Sequence, residues 1–165
     1  GLCNQPEETA KAIVDGWFYT GDLGKIDSKG NLIITGRKKN VIVLKNGKNV
    51  FPEEIEEMIM KLPYVSECMM FTREKHNELV LWCEIVYEPA LLEEENITRE
   101  QLAARFAKDL ADINDILPKY KHINHFIMSE EPMIKTTTQK VKRRAEVDKI
   151  YKQWDDEKCY NTIMK

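Results

Sequence analysis

Three short stretches of this sequence carry more chemistry than folding alone asks for. In "FYTGD", Thr20-Gly21-Asp22 sets a carboxylate directly after a glycine, where backbone can come close to a ligand and a carboxylate can accept both hydroxyls of a ribose. The competing reading is a turn aspartate that bonds its own backbone. In "GRKKNVIVLKNGKNVFPEEIE", Arg37, Lys38 and Lys39 stand at the mouth of a hairpin, placed either as solvated charge or to meet phosphate oxygens. In "EEPMIKTTTQKVKRR", consecutive threonines disfavour helix and leave Lys135 and Lys140 on an extended, mobile loop. That loop is either a solvated connection or a device that brings positive charge to an anionic transition state.

The elements that must position these residues follow from periodicity. A short helical pattern from Pro6 to Ile13 closes at Asp15-Gly16. "GKIDSKGNLIITG" reads as a hairpin turning at Asp27 to Asn31, and "NVIVL" with "KNVF" as a second, turning at Lys45 to Lys48, with Asn46-Gly47 supplying positive φ angles. Pro52 opens an amphipathic helix with Ile55, Met58, Ile59 and Leu62 on one face. "YVSECMMFTRE" and "ELVLWCEIVYE" are strands, and Thr98 with Gln101 forms a capping box for a helix burying Leu102, Phe106 and Leu110. "HINHFIM" is a third strand. The last helix, "RAEVDKIYKQW", turns Val147, Ile150, Tyr151 and Trp154 inward. The order β-β-α-β-β-α-β-α predicts an α+β domain, a small mixed sheet flanked by helices and preceded by a β-hairpin, with residues 1 to about 21 outside the compact unit.

Composition narrows the function classes. With 165 residues, 42% hydrophobic and 32% charged, the chain can bury a core, and a net charge of −3 argues against a general nucleic-acid binder. Acidic side chains dominate from Glu84 to Asp115, whereas Lys135 to Lys152 is strongly basic, a solvated helix face or an anion site. Cys3, Cys68, Cys83 and Cys159 lack the spacing of a zinc site, so no metal centre is expected. Cys68 and Cys83 lie in apolar runs as small buried hydrophobes, which points to a reducing, cytoplasmic setting. No run reaches the roughly 18 to 20 apolar residues that span a bilayer, and no signal peptide opens the chain. A start at Gly1 without a methionine suggests a natural protein that is longer on the N-terminal side.

Taken in order, "GWFYTGDLGKIDSKGNLIITGRKKNVIVLKNGKNVFPEEIE" and, about eighty residues later, "KTTTQKVKRR" closely resemble the C-terminal lid domain of adenylate-forming enzymes: acyl-CoA synthetases, peptide-synthetase adenylation domains and luciferases. The likeness covers essentially the whole chain. It implies that residues 1–35 end the large N-terminal adenylation domain and form its junction, "NQPEETAKAI" matching the segment before the TGD motif, and that 36–165 form the lid. Such enzymes activate a carboxylic acid with ATP and Mg2+ to an acyl-adenylate and pass the acyl group to a thiol, commonly coenzyme A; no tightly bound cofactor is expected in this chain.

By position, Asp22 resembles the family's ribose-binding aspartate, Arg37 the arginine near ribose and phosphate, and Lys39 the hinge residue. Gly47 resembles the glycine beside which the pantetheine arm passes, and Lys140 the lysine that enters the site for adenylation. Lys38 has no assigned partner. Two positions depart from the pattern Pro-Lys-Thr-x-x-Gly-Lys: Ile134 stands at the Pro position and Gln139 at the Gly position. The stretch between Arg37 and Gly47 is one residue longer than in many acetyl-CoA or luciferase types and looks more like long-chain acyl-CoA synthetases, which implies a fatty acid substrate. The alternatives are an adenylation domain loading the phosphopantetheine thiol of a carrier protein, and a non-catalytic binding module of the same fold.

Overall fold

The computed structural model describes residues 5–153 and 161–162. Cys3, Trp154 and Cys159 lie outside the described residues, as does the Gly1 start. The chain forms two compact units, Gly1–Val41 and Ile42–Lys165.

In the first unit, α1 (Pro6–Ala12) begins with Pro in its first turn, followed by Glu7 and Glu8 near the positive helix end. It stops one residue short of Ile13, because β-branched Ile13 and Val14 form β1 and pair antiparallel with β2 (Trp17–Phe18). Asp15-Gly16 therefore does more than end a helix. Both residues have positive φ, 51° and 81°, the backbone a two-residue hairpin turn requires. β3 (Asp22–Ile26) and β4 (Leu32–Arg37) make the predicted hairpin, in register from Ile26↔Leu32 to Asp22↔Arg37 with a bulge between Leu23 and Gly24. Asp27 Oδ1 accepts the N–H groups of Lys29 and Asn31, both at 2.8 Å, and so ties the turn. Trp17, Phe18, Tyr19, Ile26 and Leu32 are all exposed, and among the described residues of this unit no apolar side chain is buried.

The second unit holds the core. β5 (Ile42–Val43) and β6 (Asn49–Val50) form a short hairpin, α2 (Pro52–Ile59) follows, and β7 (Glu67–Lys75) pairs antiparallel with β8 (Glu78–Val86). His76 and Asn77 at the β7–β8 turn both have positive φ. α3 (Ala90–Glu94) and α4 (Arg99–Ile116) form the crossover that brings β9 (His125–Ser129) parallel to β8. After α5 (Arg143–Gln153), β10 (Asn161–Thr162) pairs antiparallel with β9, giving a mixed sheet of order β10-β9-β8-β7. The capping box is present: Thr98 accepts the Gln101 N–H while the Gln101 side chain accepts the Thr98 N–H.

Strand alternation splits the core in two. Met70, Leu81, Cys83, Ile85, Phe126 and Met128 pack with Ile55 and Ile59 of α2 and with Leu102, Phe106 and Leu110 of α4. On the other face Met69, Phe71, Trp82 and Ile127 pack with Ile150 of α5. β8 is covered on both faces, which explains its nearly unbroken apolar run and makes Glu84 within it conspicuous. Cys83 is buried and Cys68 partly so, its thiol pushed up to about 12 by burial and by the Glu56 carboxylate, so neither behaves as a thiolate.

Candidate functional site

Arg37 belongs to the β3–β4 hairpin. It ends β4 in register with Asp22, and its Nε lies 2.8 Å from Asp22 Oδ1, so the two residues singled out from separate motifs form one ion pair. Gly21, at φ +75°, turns the chain just before Asp22, and its carbonyl accepts the Lys38 N–H at 2.8 Å. Thr20 Oγ1 accepts the Asp22 N–H at 3.1 Å, so the local turn bond is made by the Thr20 hydroxyl, and the Asp22 carboxylate is engaged by Arg37. Lys38 and Lys39 are exposed on a single 3-10 turn, Lys38–Asn40, which ends one residue before Val41 closes the first unit.

The Gly47 hairpin differs from the expected tight turn. Gly47 N–H donates to Leu44 O and Leu44 N–H to Lys48 O, and of Asn46 and Gly47 only the glycine has positive φ, +77°. Asn46 contributes through its side chain, whose Oδ1 accepts the Lys48 N–H. A Cβ at Gly47 would meet no atom of this chain within 4 Å, so what demands glycine inside the chain is backbone conformation. Lys45 ties this tip to the β7–β8 turn through Glu74 Oε1 at 2.9 Å and through the carbonyl and side-chain oxygens of Asn77.

The lysine loop is less free than its threonines suggest. Lys142 N–H donates to Ile134 O, Lys135 bridges Val141, and Thr136 N–H donates to Lys140 O, so residues 134–142 form a small hairpin stem. Gln139, where the family pattern has glycine, takes the left-handed conformation at φ +61°. That is a conformation glycine adopts without penalty, so the residue that departs from the pattern takes a backbone that glycine would favour. Lys140 is exposed on the last rung of the stem, whereas Lys135 is tied to Glu67 Oε1 at 2.5 Å.

The basic run is only in part a solvated face. Arg143 grips Glu56 with two bonds, Nη1–Oε1 at 2.7 Å and Nη2–Oε2 at 2.5 Å, and Lys149 bonds Glu146 Oε1 at 2.8 Å. Glu146 is completely buried and also accepts the Ile134 N–H at 2.6 Å. Sequence reasoning missed Glu56, Glu67, Glu84 and Glu146. Two signals were there: a glutamate inside the β8 apolar run, and one four residues before Ile150 on the inner face of α5.

Glu84 is buried, and its Oε2 has no hydrogen-bond partner among the described residues. Its pKa is raised from 4.5 to about 8, by burial first and then by the Glu146 carboxylate, with Lys149 opposing. Between these values the unfolded chain is ionised at Glu84 and the folded one is not. The contribution to stability is therefore fully present below pH 4.5 and is lost as pH rises towards about 8. Glu84→Gln is expected to match the parent in unfolding free energy at low pH and to exceed it by about 1–3 kcal/mol at pH 8, read as a higher denaturant midpoint. Midpoints that fall in parallel across this range would exclude the effect.

A mixed sheet with helices on both faces and a leading hairpin is the architecture of the lid of adenylate-forming enzymes. The chain belongs to the family described as AMP-binding enzyme C-terminal domain, whose model matches residues 39–161. It is 52% identical over 71 residues to a Drosophila melanogaster protein named long-chain-fatty-acid–CoA ligase heimdall, covering 42% of this chain and 10% of that protein. A long-chain-fatty-acid–CoA ligase of Escherichia coli is 35% identical over 123 residues, covering 72% of this chain and 22% of its own length. The solved structure of a fatty acyl CoA synthetase from Mycobacterium tuberculosis superposes with a TM-score of 0.55 at 28% identity, covering 92% of this chain and 27% of that one. The chain thus spans between 10% and 22% of the length of these two curated relatives. No described helix is long and apolar enough to cross a membrane.

Proposed function

We propose that this chain is the lid, with the end of the preceding domain, of an AMP-forming synthetase that joins a fatty acid to coenzyme A. The observation that carries the reading is the partition of the candidate residues. Asp22 and Arg37 pair in the first unit, Gly47 and Lys140 lie on two loops of the second, and Lys39 stands two residues before the boundary. An enzyme that presents different lid residues in two successive steps needs that division. The names of the relatives, fatty acyl-CoA ligases, support the substrate class.

On this reading residues 1–35 finish an N-terminal adenylation domain and 36–165 are the lid, with Lys39 as hinge. Asp22 accepts the ribose hydroxyls of ATP, supplied with its Mg2+ as substrate, and Arg37 faces the ribose and phosphate. The substrate carboxylate attacks the α-phosphorus, the bond to pyrophosphate breaks, and Lys140 neutralises charge on the crowded oxygens. In the second step the coenzyme A sulfur attacks the acyl carbon, AMP leaves, and Gly47 keeps the pantetheine path clear. The chain acts with its N-terminal domain in the same polypeptide and is inactive alone.

The test uses the full-length enzyme with a fatty acid, ATP and free coenzyme A. Acyl-CoA, AMP and pyrophosphate in equal amounts are expected. Acyl-adenylate without acyl-CoA would favour a carrier-protein thiol instead, and no adenylate at all would favour a binding module. Gly47→Leu should slow thioester formation from supplied acyl-adenylate by about 10-fold or more while adenylation persists. Gly47→Asn, which tolerates the left-handed backbone, separates the strain from the blocked path.

A further inference from the structure

The stem that carries Lys140 is held from beneath by two carboxylates that the reaction itself does not use. Glu67, at the start of β7, accepts the Met133 N–H at 3.0 Å through Oε2 and the Lys135 ammonium at 2.5 Å through Oε1. Glu146, in the first turn of α5 and fully buried, accepts the Ile134 N–H at 2.6 Å through Oε2, while Oε1 takes Lys149 at 2.8 Å. Three consecutive residues, Met133, Ile134 and Lys135, are thus fastened to the sheet and to the last helix. From them the rungs Ile134–Lys142, Lys135–Val141 and Thr136–Lys140 lead directly to Lys140.

A connection with no task beyond joining β9 to α5 would not require two carboxylates, one of them completely buried, aimed at main-chain N–H groups. Placing a carboxylate there carries a desolvation cost that only its bonds offset. We propose that Glu67 and Glu146 are positioning residues for Lys140: they make the lysine stem part of the rigid body of the lid, so that lid rotation delivers the ammonium to one place. This rests on the reading of Lys140 as the adenylation lysine. Its physical basis is that misplacing a reacting or charge-stabilising group by about 1 Å can cost roughly 100-fold in rate.

The charges that face the cluster fit this role. Glu84 of β8 lies against Glu146 and Lys149 of α5 and Glu67 of β7, and Lys149 also reaches Glu131, 3.6 Å away before the stem. Burial first, then the neighbouring Glu146 carboxylate, raises the Glu84 carboxyl to about 8, and Lys149 opposes that shift.

The experiment measures ATP–pyrophosphate exchange and conversion of supplied acyl-adenylate to thioester in the full-length enzyme. Glu67→Ala is expected to slow exchange about 10–100-fold and to leave thioester formation within about twofold. In a Lys140→Ala background the same change should add no further loss, because a misplaced lysine and an absent one are then equivalent. Glu67→Gln, which keeps volume and an acceptor for Met133 N–H, should recover part of the exchange rate and guards against a folding defect. Equal loss in both half-reactions, or losses that multiply with Lys140→Ala, would overturn the proposal. Undiminished exchange in Lys140→Ala alone would overturn the underlying reading and the clamp with it, and that single variant identifies which has failed.

Discussion

Replacing Lys140 with Ala in the full-length enzyme is expected to lower ATP–pyrophosphate exchange by about 100- to 1,000-fold and to leave thioester formation from supplied acyl-adenylate largely intact. The magnitude is that of removing one donor aimed at charge developing in a transition state. Its selectivity follows from the proposed function, in which an exposed ammonium on one loop of a rotating lid acts only in the orientation that brings it to the phosphate. Lys140→Arg should recover little, since a planar fork directs its bonds differently from a compact point charge. Lys142→Ala is the internal control. Lys142 is exposed at the base of the stem, away from its last rung, and it holds the stem through its main-chain N–H to Ile134 O, which the alanine keeps, so loss of its side chain should be tolerated. Loss of exchange in Lys142→Ala with retention in Lys140→Ala would transfer the role between them.

Most of the second unit was legible because its strands and helices each bury one or two faces in the period their geometry demands. The β7–β8 pair, α2, α4 with its capping box and β9 fall where hydrophobic spacing puts them, and α5 does so at Val147 and Ile150, whereas Tyr151, expected on its inner face, is exposed. What the sequence hid was short or charged. α3 spans five residues and β10 two, too few to display a period. β1 and β2 are also two residues each, and Asp15-Gly16 reads equally as a helix end or a hairpin turn until φ is known.

At the site, the Asp22–Arg37 pairing depends on strand register across fourteen intervening residues, which motif reading treats as spacing rather than contact. The carboxylates were hidden for a related reason. Glu56, Glu67 and Glu146 are ordinary in a chain with 28 acidic residues until packing selects those that face inward. Their partners in the basic run were equally anonymous: among Lys135, Lys140, Arg143 and Lys149, only three-dimensional placement separates the structural cations from the one on the exposed rung.

That distinction gives the largest expected effect on stability. Arg143→Ala should destabilise the second unit by about 3–5 kcal/mol, seen as an earlier denaturant midpoint. Arg143 is the first residue of α5, and its guanidinium takes both oxygens of Glu56 in α2, whose Oε1 also accepts the Met70 N–H of β7 at 2.7 Å. One side chain therefore joins a helix on one face of the sheet to a helix on the other. The Glu56 side chain is only 12% exposed, so removing Arg143 leaves a carboxylate with little water to replace the lost partner. The desolvation argument also predicts the repair. The double variant Glu56→Gln with Arg143→Met removes both charges, keeps an acceptor for Met70 N–H and retains apolar volume, and should be more stable than Arg143→Ala alone. A double variant less stable than the single one would mean that attraction between the charges, rather than the cost of burying one alone, dominates this contact. Because the stem of Lys140 runs directly into Arg143, the single variant should lose adenylation even at temperatures where the sheet stays folded, and the double variant should regain part of it.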